Sequence, residues 1–388
     1  MHSINSEEGP KMRKLAFMIT IAVLLCLVIG LNIPDAKEPV KIGILCPITG
    51  TQAVMSEDLL TGFKLAQEEI NAAGGILGRP VKLIVEDTET RPAAGMDAAR
   101  KLIEVDKVKI ISGGFSSGVA LPIAKYCQQH KILAVFQPPT SPLFRHVGSY
   151  IFLTNVLDNY KGKVIADFAV EDSGKTRFAT MFMNNAFGKA LMDETLKNLK
   201  KHGVQVVTKV VYELNKVDYK AELQRLFSKK PEVVIATFYA KEGLVTAKQA
   251  YEMGLLNVNQ VPWYVPEMTS SFASAIKEIP QVLEGIKGLN PLQPGALFME
   301  KFKKKMGREP ITAYAAMNYD ALIMIAMAAN FAHSTDPTKV RDALWKIDDW
   351  YRGQSTGGDK RFDKDGMQGY GKYAKVIIKN GKIVPYKK

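Results

Sequence analysis

Apolar runs alternate along this chain with segments in which apolar residues recur at helical spacing. The runs 40–45 and 81–85 predict buried strands. Between them, four apolar residues lie on one face of a predicted helix: Leu59, Phe63, Ala66 and Ile70. A strand, a helix and a second strand in this order predict a βαβ unit with parallel strands.

The same alternation continues and then starts again, so the chain carries two tandem βαβαβ halves. The first half ends with a strand at 133–136, and the second runs from a strand at 178–182 to a short run at 263–265. Three more helices are predicted at 297–306, 313–332 and 340–347. The tail 373–384 has Asn380-Gly381 between β-type runs, which predicts a hairpin. We therefore predict an α/β fold with two Rossmann-like lobes, each built on a mostly parallel sheet with helices on both faces.

The first 36 residues indicate a targeting segment. Lys11, Arg13 and Lys14 precede the uncharged run 15–31, and a cleavage site after Ala36 completes the pattern of a secretory signal. An uncleaved anchor over the same run is the alternative, although the run is short for a bilayer span. We expect the body of the protein in the periplasm or on the outer face of the cytoplasmic membrane.

The net charge of +13 raises the question of nucleic-acid binding. The lysines, however, cluster where helices are predicted to end, as at 303–305 before Gly307, and the helix dipole favours cations there. No basic motif interleaved with aromatic residues is present, so we expect no nucleic-acid partner. The three cysteines show neither CxxC nor CxxH spacing, which argues against a structural zinc site and a disulfide-dense scaffold. We expect no metal and no cofactor.

The stretch 109–118 is the strongest candidate for a binding loop. An apolar run ends in Ser112-Gly113-Gly114, and Ser116-Ser117-Gly118 follows just before a helical pattern, so a strand, a loop and a helix start are predicted. Free backbone N–H groups and two hydroxyls at a helix N-terminus suit a small anionic group.

The same loop also matches the G-x-S-x-G motif of serine hydrolases, with Ser116 as the nucleophile. The motif fixes only three positions, a His-Gly-Gly oxyanion loop is absent, and His333 alone among the later histidines has a plausible position. We therefore expect a binding protein that makes and breaks no covalent bond. The hydrolase is the least favoured alternative.

The segment 69–80, followed by Val85-Glu86-Asp87, resembles the early signature of the type I periplasmic binding proteins that serve branched-chain amino-acid ABC importers. Further similarity lies in Pro47-Ile48-Thr49-Gly50, Ser116-Ser117, Tyr319-Asp320-Ala321 and Phe362-Asp363 with Gly366. The resemblance covers about residues 40–385. These motifs are specific to the family and much less specific to the ligand.

That family implies two lobes joined by three crossovers, which close like a hinge on a solute. Lobe 1 would comprise 38–158 and about 287–366, and lobe 2 would comprise 159–286 and about 367–388. The resemblance also implies a monomer that delivers its ligand to an ABC permease of the inner membrane.

The site residues follow from the same resemblance. In the amino-acid binders of this family, a serine and a threonine of the first lobe hold the α-carboxylate, and their positions match Ser117 and Thr140. A backbone carbonyl and a glutamate that hold the α-ammonium match Pro138 and Glu267, and an aromatic wall residue matches Tyr239. Four more candidates for the pocket are Ser116, Phe187, Tyr314 and Met55.

Simpler roles stay open for three of these residues. Ser117 is also suited to capping a helix, Glu267 to a solvated loop and Tyr239 to the core.

The expected ligand is an amino acid, with branched-chain amino acids as the first candidates. Phe187-Gly188 stands where the family often has Tyr-Gly, and Met55-Ser56 where an aromatic residue or glycine is frequent, so the side-chain preference stays open. Alternatives are an amide, urea or an aromatic acid as ligand, or a role as a ligand sensor.

Overall fold

The strands and helices come from a computed structural model that describes residues 37–347, 351–355, 361–368 and 372–387. The predicted targeting segment 1–36 lies outside the described residues. The described strands are β1 (Val40–Cys46), β2 (Val81–Asp87), β3 (Ile110–Gly113), β4 (Leu133–Phe136), β5 (Ile151–Leu153), β6 (Arg177–Met183), β7 (Gln205–Tyr212), β8 (Val233–Ala236), β9 (Trp263–Val265), β10 (Lys287–Pro291), β11 (Tyr373–Lys379) and β12 (Lys382–Pro385). The described α-helices are α1 (Ser56–Ala72), α2 (Pro92–Arg100), α3 (Ser117–Gln129), α4 (Asp158–Ser173), α5 (Ala186–Lys201), α6 (Lys220–Phe227), α7 (Ala240–Glu252), α8 (Met268–Glu278), α9 (Ala296–Met306), α10 (Tyr314–Phe331) and α11 (Pro337–Ile347).

Five parallel strands form the first sheet, in the order β2-β1-β3-β4-β5. The central strands β3 and β4 are buried along their whole length, as expected for a parallel sheet covered on both faces. Phe63 of α1 and Leu322 of α10 pack in the core on one face, and Val119 and Ile123 of α3 pack in the core on the other. This confirms the predicted layered α/β fold.

The second sheet has seven strands in the order β12-β11-β10-β9-β8-β6-β7. Strands β6 to β10 pair in parallel, and β11 and β12 add an antiparallel hairpin. Lys379 pairs with Lys382, and Asn380 and Gly381 between them have φ of 51° and 69°. Two successive left-handed residues are what a type I′ turn requires, so the predicted hairpin is confirmed.

Strand β10 lies in the second sheet, beyond residue 286, where the resemblance implies that lobe 2 gives way to lobe 1. It runs parallel to β9 and antiparallel to β11. Its sequence Lys-Gly-Leu-Asn-Pro contains no apolar run that would predict a strand. The second sheet therefore extends to Pro291, and the chain then returns to the first sheet, where Phe298 and Ala315 join the core.

Within the described residues, the chain passes between the two sheets after β5, after β10 and before β11. Two of these connections start side by side, because Leu153 pairs with Met367. The carboxyl ends of β3, β4, β8 and β9 lead into loops that line one common cavity. In open α/β sheets this is the edge at which ligands bind.

Lysines lie at the ends of helices, as the charge pattern predicts. Lys200 and Lys201 are the last two residues of α5, and the three lysines at 303–305 lie in the last turn of α9.

Cys46 and Cys127 are buried free thiols, and burial raises the pKa of each to about 12. In the part of the chain that the structure describes, no helix combines the length and the apolar character needed to cross a membrane.

Candidate functional site

The loop between β3 and α3 turns the chain so that α3 begins at the cavity. Gly113 and Gly114 have φ of 99° and 67°, a left-handed conformation that other residues rarely adopt. A Cβ on Gly113 would also lie 2.2 Å from the carbonyl oxygen of Leu45. The two glycines thus allow the close turn that places Ser117 at the first position of α3.

Ser117 is the best-placed hydrogen-bond donor of lobe 1. Its side chain is buried, and Oγ accepts hydrogen bonds from the backbone N–H groups of Thr140 at 3.1 Å and Ser141 at 3.2 Å. Since both lone pairs of the hydroxyl are used, its proton is available to donate. The N-terminus of the 13-residue helix α3 adds a favourable dipole for an anion, and Thr140 lines the same cavity.

Ser116 connects the two lobes. It is the N-cap residue of α3, and its Oγ lies 2.7 Å from the hydroxyl of Tyr239, which also accepts a hydrogen bond from Asn185 Nδ2 at 3.3 Å. A serine nucleophile needs a general base within hydrogen-bond reach. The partner of Ser116 is a phenol whose pKa is raised by burial to about 12, so the geometry gives the hydrolase alternative no support.

Glu267 is buried at 3% exposure, and both of its carboxylate oxygens are engaged. Oε2 accepts a hydrogen bond from the Tyr314 hydroxyl at 2.6 Å, and Oε1 forms an ion pair with Lys161 Nζ. Tyr314 begins α10 on the first lobe and Glu267 follows β9 of the second, so their bond crosses the cleft. The interpretation of Glu267 as a solvated loop residue is wrong for this structure.

Lys161 enters the site from the first turn of α4 and is 1% exposed. Its Nζ lies 3.2 Å from Asp158 Oδ1, and 5.0 and 5.5 Å from the ring centroids of Phe187 and Tyr373. Burial disfavours the charged form of Lys161, but the nearby acidic groups, led by Glu267, outweigh this effect and raise its pKa. The site therefore holds a buried ammonium. Burial also raises the pKa of Asp158 to about 6, against the opposing effect of Lys161.

Aromatic rings form the walls of the cavity. Phe187 and Tyr239 stack with ring planes 5° apart and centroids 6.2 Å apart, and Phe115 meets Tyr314 edge-on at 5.7 Å. The cavity has about 290 Å³ of space between its walls, part of which is open to solvent. It suits a small molecule with an apolar or flat part.

The cavity brings together most of the residues proposed from the sequence. Those that line it are Ser117, Pro138, Thr140, Phe187, Tyr239, Glu267 and Tyr314. Ser116 adjoins it through Tyr239. Met55 is fully buried in an apolar cluster with Phe115 and Tyr314 and is not one of the lining residues described. Three further lining residues were not among the site residues proposed from the sequence: Phe115, Lys161 and Ser270.

A signal for the ion pair was present in the sequence. Asp158, Lys161 and Ile165 fall at helical spacing on one face of α4, and this whole face is buried. Charged residues are rarely buried unless they are paired. Two opposite charges at apolar positions of a helix therefore indicate an internal ion pair.

The sequence and the fold are both similar to those of known proteins. A model of the periplasmic binding protein family matches residues 39–382. The chain belongs to this family. The resemblance found in the sequence is thereby confirmed, and the two sheets facing one cavity are the two lobes of a periplasmic binding protein.

Relatives within the family have varied names. An amino acid binding protein of Pseudomonas aeruginosa is 28% identical over 353 residues, which cover 89% of this chain and 91% of that protein. A leucine binding protein LivK of Thermotoga maritima superposes with a TM-score of 0.81 at 24% identity, over 90% of this chain and 98% of that one. A solute binding protein of Rhodopseudomonas palustris in complex with benzoate gives a TM-score of 0.76 at 19% identity, over 89% and 95% of the two chains. At these identities the two structures establish the fold alone.

Proposed function

We propose that this periplasmic binding protein captures a small organic carboxylate between its lobes and delivers it to an ABC permease. The observation that carries the proposal is the Ser117 hydroxyl. It accepts two backbone N–H bonds, keeps its proton for a ligand, and stands at a helix N-terminus in a cavity walled by aromatic rings. A buried carboxylate is stabilised by such donors, whereas a neutral apolar ligand would leave them unpaired.

The names of the comparison proteins are consistent with this ligand class. Leucine and benzoate, the ligands named for two of them, share a carboxylate and differ in every other group. The expected amino-acid ligand belongs to the same class, and it requires in addition that an α-ammonium find an acceptor in the cavity.

Binding and hinge closure are one process in this proposal. The carboxylate docks on Ser117 and Thr140 of the first lobe, and Tyr239 and Phe187 cover it when the second lobe arrives. Contacts with both lobes favour the closed state, because a ligand shifts a conformational equilibrium by its differential affinity for the two states. The family indicates action in the periplasm, where the permease would recognise the closed form. The protein changes no covalent bond of its ligand.

Substitution of Ser117 by alanine tests the proposal. Calorimetric titration of the wild-type protein with small carboxylates should identify a ligand, and S117A should weaken its binding by about tenfold to a hundredfold, since a hydrogen bond to a charged group contributes about 1.5–3 kcal/mol. The matched control is Ser228→Ala, an exposed serine that hydrogen-bonds only locally to the Arg225 carbonyl, and it should bind like the wild type.

Two outcomes would contradict the proposal. One is the absence of binding by any small carboxylate. The other is a carboxylate that S117A, folded by circular dichroism, binds with unchanged affinity.

A further inference from the structure

We infer that the Lys161 ammonium takes the place of a ligand α-ammonium against Glu267, so that the carboxylate ligand carries no α-amine. This inference rests on the proposed function and specifies the class of its ligand. It assigns to Lys161 the role of a specificity-determining residue. The expected class includes 2-oxo acids and aliphatic or aromatic carboxylates, and it excludes α-amino acids.

The acceptors expected to hold an α-ammonium are already occupied. Glu267 accepts from the Tyr314 hydroxyl at 2.6 Å and forms its ion pair with Lys161. The Pro138 carbonyl accepts a hydrogen bond from Asn155 Nδ2 at 3.2 Å. A ligand ammonium at Glu267 would therefore have to share the carboxylate with the Lys161 ammonium, and the two positive charges would repel each other.

Lys161 is held too firmly to move aside. Its side chain is 1% exposed, and Lys161 and Glu267 both belong to the second lobe, so their pairing does not depend on closure of the cleft. Asp158 lies 3.2 Å from Nζ, and the rings of Phe187 and Tyr373 flank it. Separating the two partners of a buried ion pair is strongly unfavourable, because the charge that stays buried then has no opposite charge beside it.

Asp158 does not offer an alternative binding position for a ligand amine. It precedes Lys161 by three residues on the same helix, and its Oδ1 already faces Nζ. Asp158 Oδ2 has no hydrogen-bond partner among the described residues, but a ligand ammonium there would still lie beside the Lys161 ammonium at a fully buried carboxylate, where like charges repel more strongly than in water. A carboxylate ligand avoids this repulsion, because Ser117 and the N-terminus of α3 receive it on the opposite lobe.

Matched ligand pairs test the inference on the wild-type protein. The probes are leucine against 4-methyl-2-oxopentanoate and phenylalanine against phenylpyruvate, with benzoate as an amine-free carboxylate of another shape. We expect at least one amine-free member to bind, and to bind about a hundredfold or more tightly than its amino acid. An amino acid that binds as well as or better than its 2-oxo partner would overturn the inference while leaving the carboxylate proposal intact.

A charge-removing variant then assigns the preference to this residue. In Lys161→Gln the carboxylate of Glu267 is released, so leucine or phenylalanine binding should appear and the preference for the 2-oxo acid should shrink by tenfold or more. An unchanged preference in a folded K161Q protein would overturn the role of Lys161.

A second variant covers the case in which K161Q does not fold. Lys161→Arg keeps a positive charge beside Glu267, so the preference for the 2-oxo acid over its amino acid should persist in this variant. A folded K161R protein that binds leucine or phenylalanine as tightly as the 2-oxo partner would overturn the inference. If none of the five probes nor any other small carboxylate binds the wild type, the proposed function itself fails.

Discussion

At the scale of single residues, we expect Asp158 to couple ligand binding to the uptake of protons. Its pKa is raised to about 6, mainly by burial, and it faces the charge of Lys161 and the acidic groups of Glu267, Tyr314 and Tyr373. A bound carboxylate adds negative charge to the buried site, which raises the pKa of Asp158 further. The complex then holds more protons than the free protein between about pH 6 and pH 8, so affinity should increase as the pH falls through this range.

Calorimetry in two buffers of different ionisation enthalpy measures this coupling. At pH 7 the binding of a carboxylate should take up a fraction of a proton, and Asp158→Asn should remove that uptake. Proton release on binding, or equal uptake in D158N, would contradict the assignment.

The residues of the site differ in how far the sequence could reveal them. Ser117 stands in a motif that resembles a known family, and Thr140 matches a residue of that family by position, so the sequence alone is enough to propose both. Lys161 lies within a helix that carries no such motif, and its partner Glu267 is 106 positions away in the sequence. A contact at such separation depends on how the second lobe folds, whereas the sequence pattern predicts only local spacing.

At the scale of elements, the close packing of α1 against α10 in the first lobe depends on Gly62 of α1. A Cβ at this position would lie 2.0 Å from the carbonyl oxygen of Ala315 in α10, a backbone atom that cannot move aside cheaply. Gly62→Ala should therefore lower the free energy of unfolding by about 1–3 kcal/mol, the usual cost of overpacking. Urea unfolding measures this, with exposed Lys64→Ala on the same helix as the control.

An unfolding midpoint of G62A equal to that of K64A would show that α1 and α10 pack less closely than this distance implies.

The elements themselves follow well from hydrophobic periodicity, with exceptions that have physical causes. Helix α10 is predicted at 313–332 and spans Tyr314–Phe331, because a long apolar pattern leaves few alternatives. The hairpin is predictable because Asn-Gly is suited to its turn. Strand β10 is not, since its pairing between β9 and β11 stabilises a segment with weak strand propensity of its own.

At the scale of the whole molecule, hydrogen bonds join the lobes across the cleft, and two of them link buried side chains. Ser116 meets Tyr239 at 2.7 Å, and Tyr314 donates to Glu267 at 2.6 Å. Both bonds are buried, and they break when the lobes separate. The two-lobed architecture could be predicted from the repeated βαβαβ pattern, but which side chains meet across the cleft could not, because that depends on the hinge geometry.

The structure of a ligand complex tests the central claim most directly. We predict that a crystal structure with the tightest-binding small carboxylate will show its carboxylate within hydrogen-bond distance, about 3 Å, of Ser117 Oγ, with Lys161 still paired to Glu267. A ligand bound outside the cleft, or one whose ammonium rests on Glu267 with Lys161 displaced, would contradict the account.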